Sequence, residues 1–110
     1  TISALGVVET PLPVEAYHSW LEVNPLTVES TRRLKARLAG AKQDHLPLIS
    51  VIMPCYESDP DLLSEAIESV LTQAYENWEL CICDDASPSN VVAGVVKNFS
   101  QLDGRIKYVR

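Results

Sequence analysis

The chain has 110 residues, of which 46% are hydrophobic and 22% charged, so it can bury the core of one domain and global disorder is excluded. Its formal net charge of -6 argues against an autonomous nucleic-acid-binding protein, because binding to phosphates requires a basic surface. The sequence shows no signal-peptide pattern and no run of about 18 apolar residues that could span a bilayer.

Residues 1–45 are polar and predict a helical N-terminal extension followed by a linker. A first helix is predicted to begin at Pro13 and to end at Asn24-Pro25. Thr27 is the predicted N-cap of a second helix that runs to Gly40. Five of the nine basic residues lie between Arg32 and Lys42. We interpret them as a solvated helix face rather than a surface for acidic lipid or a partner, because the apolar stripe beside them is thin.

Residues 46–110 alternate between strand and helix patterns. Apolar runs predict strands at 48–53, 78–83 and 106–109, and apolar positions at helical spacing predict helices between them. Asp59 is the predicted N-cap of the first of these helices. Right-handed crossovers then give an α/β fold, a parallel three-stranded sheet in βαβαβ order with helices on its faces and a buried first strand.

The residues that follow the strands are the expected ligand site, because parallel sheets bind ligands at the carboxyl ends of their strands. The loop from Pro54 to Asp61 contains no glycine, so it cannot cradle a diphosphate as a dinucleotide fold or a P-loop does. If a nucleotide binds, its base and ribose dock here. Tyr56 either stacks on a flat base or packs across the loop onto a helix, and the local pattern leaves both open.

Two adjacent carboxylates, Asp84 and Asp85, close the second strand. They repel each other unless something satisfies them. One can accept a base N–H or a ribose hydroxyl, while the other accepts backbone amides of the loop at 86–89. We prefer this interpretation to one in which both only cap the loop. As metal ligands, two such side chains alone are a weak site.

The cysteines are too few and too odd in number for a disulfide scaffold. Cys55, Cys81 and Cys83 lie in apolar, strand-like surroundings, which predicts buried, reduced thiols of a cytoplasmic protein. Neither the cysteines nor the two histidines, His18 and His45, have the spacing of a metal site.

Three stretches, taken in order, resemble family 2 inverting nucleotide-sugar glycosyltransferases. They are LISVIMPCYE at 48–57, AIESVLTQAYENWEL at 66–80 and CICDDAS at 81–87. The resemblance covers residues 46–110 and implies the nucleotide-binding, N-terminal part of a GT-A fold, a truncated Rossmann-like half. The segment from Tyr17 to Leu21 is more loosely similar to the helical preface that some bacterial members carry.

The resemblance also implies a nucleotide-binding set. Tyr56 takes the position that stacks on the base, and Asp85 the position that contacts the base. Asp84 is expected to order the loop and Pro54 to shape it. Glu57 stands where the family usually has Asn, and this departure bears on the loop's hydrogen bonds and on donor choice.

The implied reaction transfers a sugar, with inversion, to an acceptor hydroxyl in the synthesis of cell-surface polysaccharide. The expected donor is a nucleoside-diphosphate sugar, with a UDP-sugar favoured, and the expected acceptor is a saccharide or a lipid-linked molecule. A divalent metal, Mg or Mn, is expected for the parent enzyme. The family's Asp-x-Asp motif and catalytic base lie later than Arg110, so we predict no metal ligand and no catalytic residue in this chain and expect it to be inactive alone.

Because the chain begins at Thr1 rather than Met, we expect it to be a piece of a longer protein. We expect that protein to be cytoplasmic, with the inner face of the membrane as an open alternative for the parent. Two other functions stay open as alternatives: a receiver-like signalling domain, and a non-catalytic interaction module that binds a partner through Arg32 to Lys42. A three-stranded open sheet also predicts marginal stability or self-association, because it leaves an unpaired edge.

Overall fold

The computed structural model describes residues 13–110 and divides the chain into two compact units, one ending at Ala36 and one running from Arg37 to Arg110. The boundary predicted between residues 45 and 46 stays a prediction. The helices are α1 (Pro13–Val23), α2 (Val28–Ala39), α3 (Pro60–Leu71) and α4 (Val91–Leu102), with a 3-10 turn at Gln43–His45, and the strands are β1 (Ile49–Cys55), β2 (Trp78–Asp84) and β3 (Ile106–Val109).

Helices α1 and α2 begin where the sequence predicts. Thr27 caps α2 through a reciprocal pair of bonds, in which its Oγ1 accepts the N–H of Ser30 at 3.0 Å and its own N–H donates to Ser30 Oγ at 2.9 Å. Neither helix has a buried residue. On α2, Arg32 and Arg33 both pair with the exposed carboxylate of Glu29, at 3.4 and 3.5 Å, in keeping with a solvated helix face. Within residues 13–110 no helix has the length and apolar character needed to cross a membrane.

The three strands form one parallel sheet in the order β1-β2-β3, as predicted. Ile49 pairs with Trp78 and Cys55 with Asp84, so β1 and β2 run side by side along their whole length. Asp59 caps α3 as predicted, accepting the N–H groups of Asp61 and Leu62 at 2.9 and 3.1 Å.

Helices α3 and α4 pack on the same face of the sheet and against each other. Along β2, residues alternate between buried and half-buried, and only the buried set meets the two helices. Two right-handed crossovers that step in one direction put both helices on one side. The core consists of this covered face and the inward positions of α3 and α4: Cys55, Leu63, Ile67, Trp78, Leu80, Ile82, Val92, Val96 and Ile106.

The prediction that β1 is buried is wrong. Its residues are exposed or half-buried up to Cys55, and Ile52 is 62% exposed. The reason is its place in the sheet, since β1 is an edge strand and Ile52 points to the face opposite α3 and α4. The apolar run alone could not distinguish a central strand from an edge.

Candidate functional site

The carboxyl ends of β1 and β2 form a rim on which the predicted aromatic and acidic residues meet. Cys55 pairs with Asp84, and the N–H of Asp85 donates to the carbonyl of Cys55 at 2.8 Å. Tyr56 and Asp85 directly follow this pair and therefore occupy neighbouring positions. Tyr56 is 61% exposed, and Asp85 is exposed as well. The rim thus presents an aromatic ring and a carboxylate to solvent from adjacent strands.

The other acid of the pair, Asp84, points into the protein and is buried. Its Oδ1 accepts the Oγ–H of Ser87 at 2.5 Å and the N–H of Ser87 at 3.0 Å, while its Oδ2 accepts the hydroxyl of Tyr108 at 2.7 Å. The Ser87 hydroxyl first, and then the Tyr108 hydroxyl, lower the pKa of Asp84 below its ordinary value, against the opposing effect of burial. Its carboxylate is therefore engaged by the protein itself.

Ser87 connects the ends of all three strands. Its side chain is fully buried, and its Oγ accepts the N–H of Glu57, after β1, at 2.9 Å. The same Oγ donates to Asp84 at the end of β2. Its carbonyl accepts the Arg110 guanidinium, after β3, at 2.7 Å. A single loop residue thus fixes the loop after β2 against both neighbouring strand ends.

Glu57 has an uncommon backbone conformation, with φ of 45° in the left-handed region, and Ala86 in the facing loop has φ of 56°. The Glu57 carboxylate turns to that loop, and its Oε1 accepts the N–H and the Oγ–H of Ser89 at 3.1 and 2.9 Å. Glu57 therefore binds the neighbouring loop through both its main chain and its side chain.

The remaining predicted residue, Pro54, pairs with Cys83 and is exposed on the face of the sheet opposite α3 and α4. No site role is predicted from the sequence for Tyr108, for Arg110 or for the side chain of Ser89. Only the alternation of β3 could have indicated that Tyr108 lies on the covered face with Ile106, and no local pattern identifies Asp84 as its partner.

The acids of the rim do not make a metal site by themselves. Across residues 13–110, no three histidine, cysteine or acidic residues group closely enough to hold a metal ion. Asp84 is engaged by Ser87 and Tyr108, so Asp85 is left as the lone carboxylate of the Asp84-Asp85 pair. The carboxylate of Asp59 caps α3. The residues present do not fit the divalent metal expected for the parent enzyme.

The three cysteines are free, but only Cys55 is buried. Cys81 and Cys83 are half-buried on the face of the sheet opposite α3 and α4, which corrects the prediction of three buried thiols. They lie at alternate positions of β2 and so share that face.

Comparison with known proteins gives a family match over this unit. The family model described as "Glycosyl transferase family 2" matches residues 50–110, more than half of the chain. The matched residues contain β2, β3 and all of β1 except Ile49, together with the rim and the loop between β2 and α4.

Three relatives illustrate the similarity. The chain is 48% identical over 60 residues to UDP-Glc:alpha-D-GlcNAc-diphosphoundecaprenol beta-1,3-glucosyltransferase WfgD of Escherichia coli, over 54% of this chain and 22% of that protein. It is 41% identical over 64 residues to the putative glycosyltransferase EpsE of Bacillus subtilis, over 58% of this chain and 23% of the relative. The O-antigen biosynthesis protein RfbC of Myxococcus xanthus is 29% identical over 97 residues, 88% of this chain and 7% of its own length.

The match to the Myxococcus protein covers enough of the chain to reach into the helical N-terminal segment. In each of the three comparisons, the chain spans less than a quarter of the relative's length.

Proposed function

The chain belongs to glycosyl transferase family 2, and from this membership we propose that its strand-end rim binds the nucleoside part of a nucleoside-diphosphate sugar. The observation that carries the proposal is the pairing of Cys55 with Asp84, which sets Tyr56 and Asp85 side by side and exposed. Family membership also decides against the receiver-like alternative.

The two exposed side chains suit the two surfaces of a base. The ring of Tyr56 offers a flat face for stacking, which contributes roughly 1–3 kcal/mol per base. The carboxylate of Asp85 accepts hydrogen bonds, and a uracil ring presents an N–H donor at its edge. Asp84 orders the loop from inside the protein, and Pro54 shapes the exit of β1.

A UDP-sugar is the donor we favour, and the E. coli relative is named for UDP-Glc. That relative's printed acceptor is linked to diphosphoundecaprenol, and a saccharide or lipid-linked acceptor is proposed for the parent of this chain. The proposed reaction is in-line attack of an acceptor hydroxyl on the anomeric carbon with inversion, in cell-surface polysaccharide synthesis. We place the parent in the cytoplasm, with work at the inner face of the membrane as the setting for a lipid-linked acceptor.

A divalent metal, Mg or Mn, neutralises the leaving diphosphate when bound. Residues 13–110 offer no ligand set for it, so in our proposal this chain contributes the nucleoside half of the donor site. Other parts of the parent supply the metal ligands, the catalytic base and the acceptor site, and the chain alone is inactive.

Saturation-transfer NMR with UDP tests the proposal. We expect transfer to the uracil and ribose protons in the wild-type chain. Tyr56→Ala should weaken UDP binding roughly 5- to 150-fold, the range that stacking implies, while Tyr56→Phe retains most of the affinity. Tyr17→Ala is the matched control, because Tyr17 is 58% exposed and lies on α1. Equal UDP affinity in Tyr56→Ala, Asp85→Asn and the wild type would remove the basis for this site.

A further inference from the structure

The carboxylate of Glu57 is bound by the loop after β2, through Ser89. Its Oε1 accepts both polar hydrogens of Ser89, at 3.1 Å from the backbone nitrogen and 2.9 Å from the hydroxyl. Ser89 precedes α4 by two residues, so the carboxylate lies near the N-terminus of a 12-residue helix, where the helix dipole favours a negative charge. This oxygen is occupied by the loop.

The main chain of Glu57 makes a second connection to the same loop. Its N–H donates to the buried Oγ of Ser87, which in turn donates to Asp84. The left-handed backbone at Glu57 is uncommon for a residue with a long side chain and persists only where surrounding contacts hold it. Together Glu57, Ser87 and Ser89 form what we call the Glu57 latch.

The Glu57 latch directly follows, in the chain, both residues that are proposed to contact the ligand. Tyr56 directly precedes Glu57, and Asp85 stands two residues before Ser87 and four before Ser89. The latch thus restrains the backbone on the C-terminal side of both residues. Without the Glu57 carboxylate, the loop after β2 keeps its contact through Ser87 but loses its attachment at Ser89.

We propose that Glu57 is a positioning residue, which through Ser89 fixes the loop after β2 so that Asp85 and Tyr56 face the same nucleoside. The inference rests on the proposed function of the rim. In this assignment Glu57 does not contact the nucleotide, and the length of its side chain matters because it must reach across to the loop at the start of α4.

The test is a set of UDP titrations followed by NMR on the chain, with Glu57→Ala, Ser89→Ala and the double variant. Glu57→Ala should weaken UDP binding about 2- to 10-fold, in the range of coupled neighbours. Ser89→Ala should weaken it less, because the backbone N–H of Ser89 still donates to Glu57. The double variant should be little worse than Glu57→Ala. Glu57→Gln should restore most of the affinity, because its carbonyl oxygen has the same reach. Glu65→Ala, at an exposed glutamate on α3, is the control and should bind as the wild type does.

Amide hydrogen exchange at Ser89 provides a readout that needs no nucleotide. Exchange should quicken in Glu57→Ala and return towards the wild-type rate in Glu57→Gln. If UDP binds the wild type and Glu57→Ala equally well while the Ser89 amide is deprotected, the latch exists but positions nothing, and this inference alone is overturned. If the effects of Glu57→Ala and Ser89→Ala multiply in the double variant, the two residues act separately and the inference is also wrong. If UDP does not bind the wild type, the proposed function itself fails and the inference fails with it.

Discussion

Replacing Ser87 by Ala removes one buried hydroxyl that serves two strand ends at once. The Oγ of Ser87 donates to Asp84 and accepts the N–H of Glu57. The backbone N–H of Ser87 still donates to Asp84 in the variant, so one of the two bonds from Ser87 to that carboxylate survives. The change introduces no new bulk, because Ala is smaller than Ser.

The expected loss follows from the two bonds. A hydrogen bond to a charged group contributes roughly 1.5–3 kcal/mol and a neutral one roughly 0.5–1.5 kcal/mol, so Ser87→Ala should cost about 2–4 kcal/mol. Domains of this size have about 5–15 kcal/mol of unfolding free energy, so the loss is a large fraction of the total. At about 4–8 °C per kcal/mol, the melting temperature should fall by roughly 10–30 °C.

Urea unfolding followed by tryptophan fluorescence measures this loss. Trp78 is buried on the covered face of β2 and reports the sheet, whereas Trp20 is exposed on α1 and adds a nearly constant signal. Ser100→Ala is the matched control, because the Ser100 hydroxyl donates to Lys97 at the surface of α4. Ala there should change stability by no more than about 0.5 kcal/mol. If Ser87→Ala is as stable as Ser100→Ala, the buried hydroxyl does not hold the rim together.

Three further outcomes are expected. Gly94→Ala should raise the unfolding free energy by about 1 kcal/mol, since an added Cβ meets no atom within 4 Å, and an unchanged urea midpoint would contradict this. Because the pKa of Asp84 lies below its ordinary value of 3.8, the stability it contributes is present above that pH and is lost as the pH falls through the lower, folded value. The stability difference between Tyr108→Phe and the wild type, measured by urea titrations at several pH values, should therefore shrink below pH 3.8; a constant difference would refute the linkage. Sedimentation velocity should show self-association that Ile52→Lys reduces, because Ile52 is 62% exposed on the edge strand, and a wild type that stays monomeric at all concentrations would refute it.

The elements of the second unit were predictable because each has a local signal. Asp59-Pro60 marks the start of α3, and the spacing of Leu63 and Ile67 gives the face that the structure buries. The order of strands follows from short connections and crossover handedness. The exposure of β1 was not predictable, because α3 and α4 both cover the face opposite Ile52, and no local pattern in the sequence records which face the helices cover.

The rim was predictable in part for the same reason. Tyr56 and Asp85 follow strands, so the strand order is enough to bring them together. The partner of Asp84 on β3 could not be predicted, because Tyr108 lies 24 residues away in the chain and reaches Asp84 through the register of the sheet. The contact of Glu57 with Ser89 spans 32 residues and depends on a left-handed backbone that glutamate rarely adopts.

The hydrogen bonds of the buried Asp84 carboxylate form only as the successive strands of the sheet are synthesised, because its partners lie at different distances along the chain. Its two oxygens are served by Ser87, three residues later, and by Tyr108, in the last strand of the unit. While Tyr108 of a nascent chain is still inside the ribosome, Oδ2 of Asp84 lacks the hydrogen bond from the Tyr108 hydroxyl. The loop that carries Asp85 is therefore fully held only after β3 has been synthesised and Tyr108 has reached Asp84.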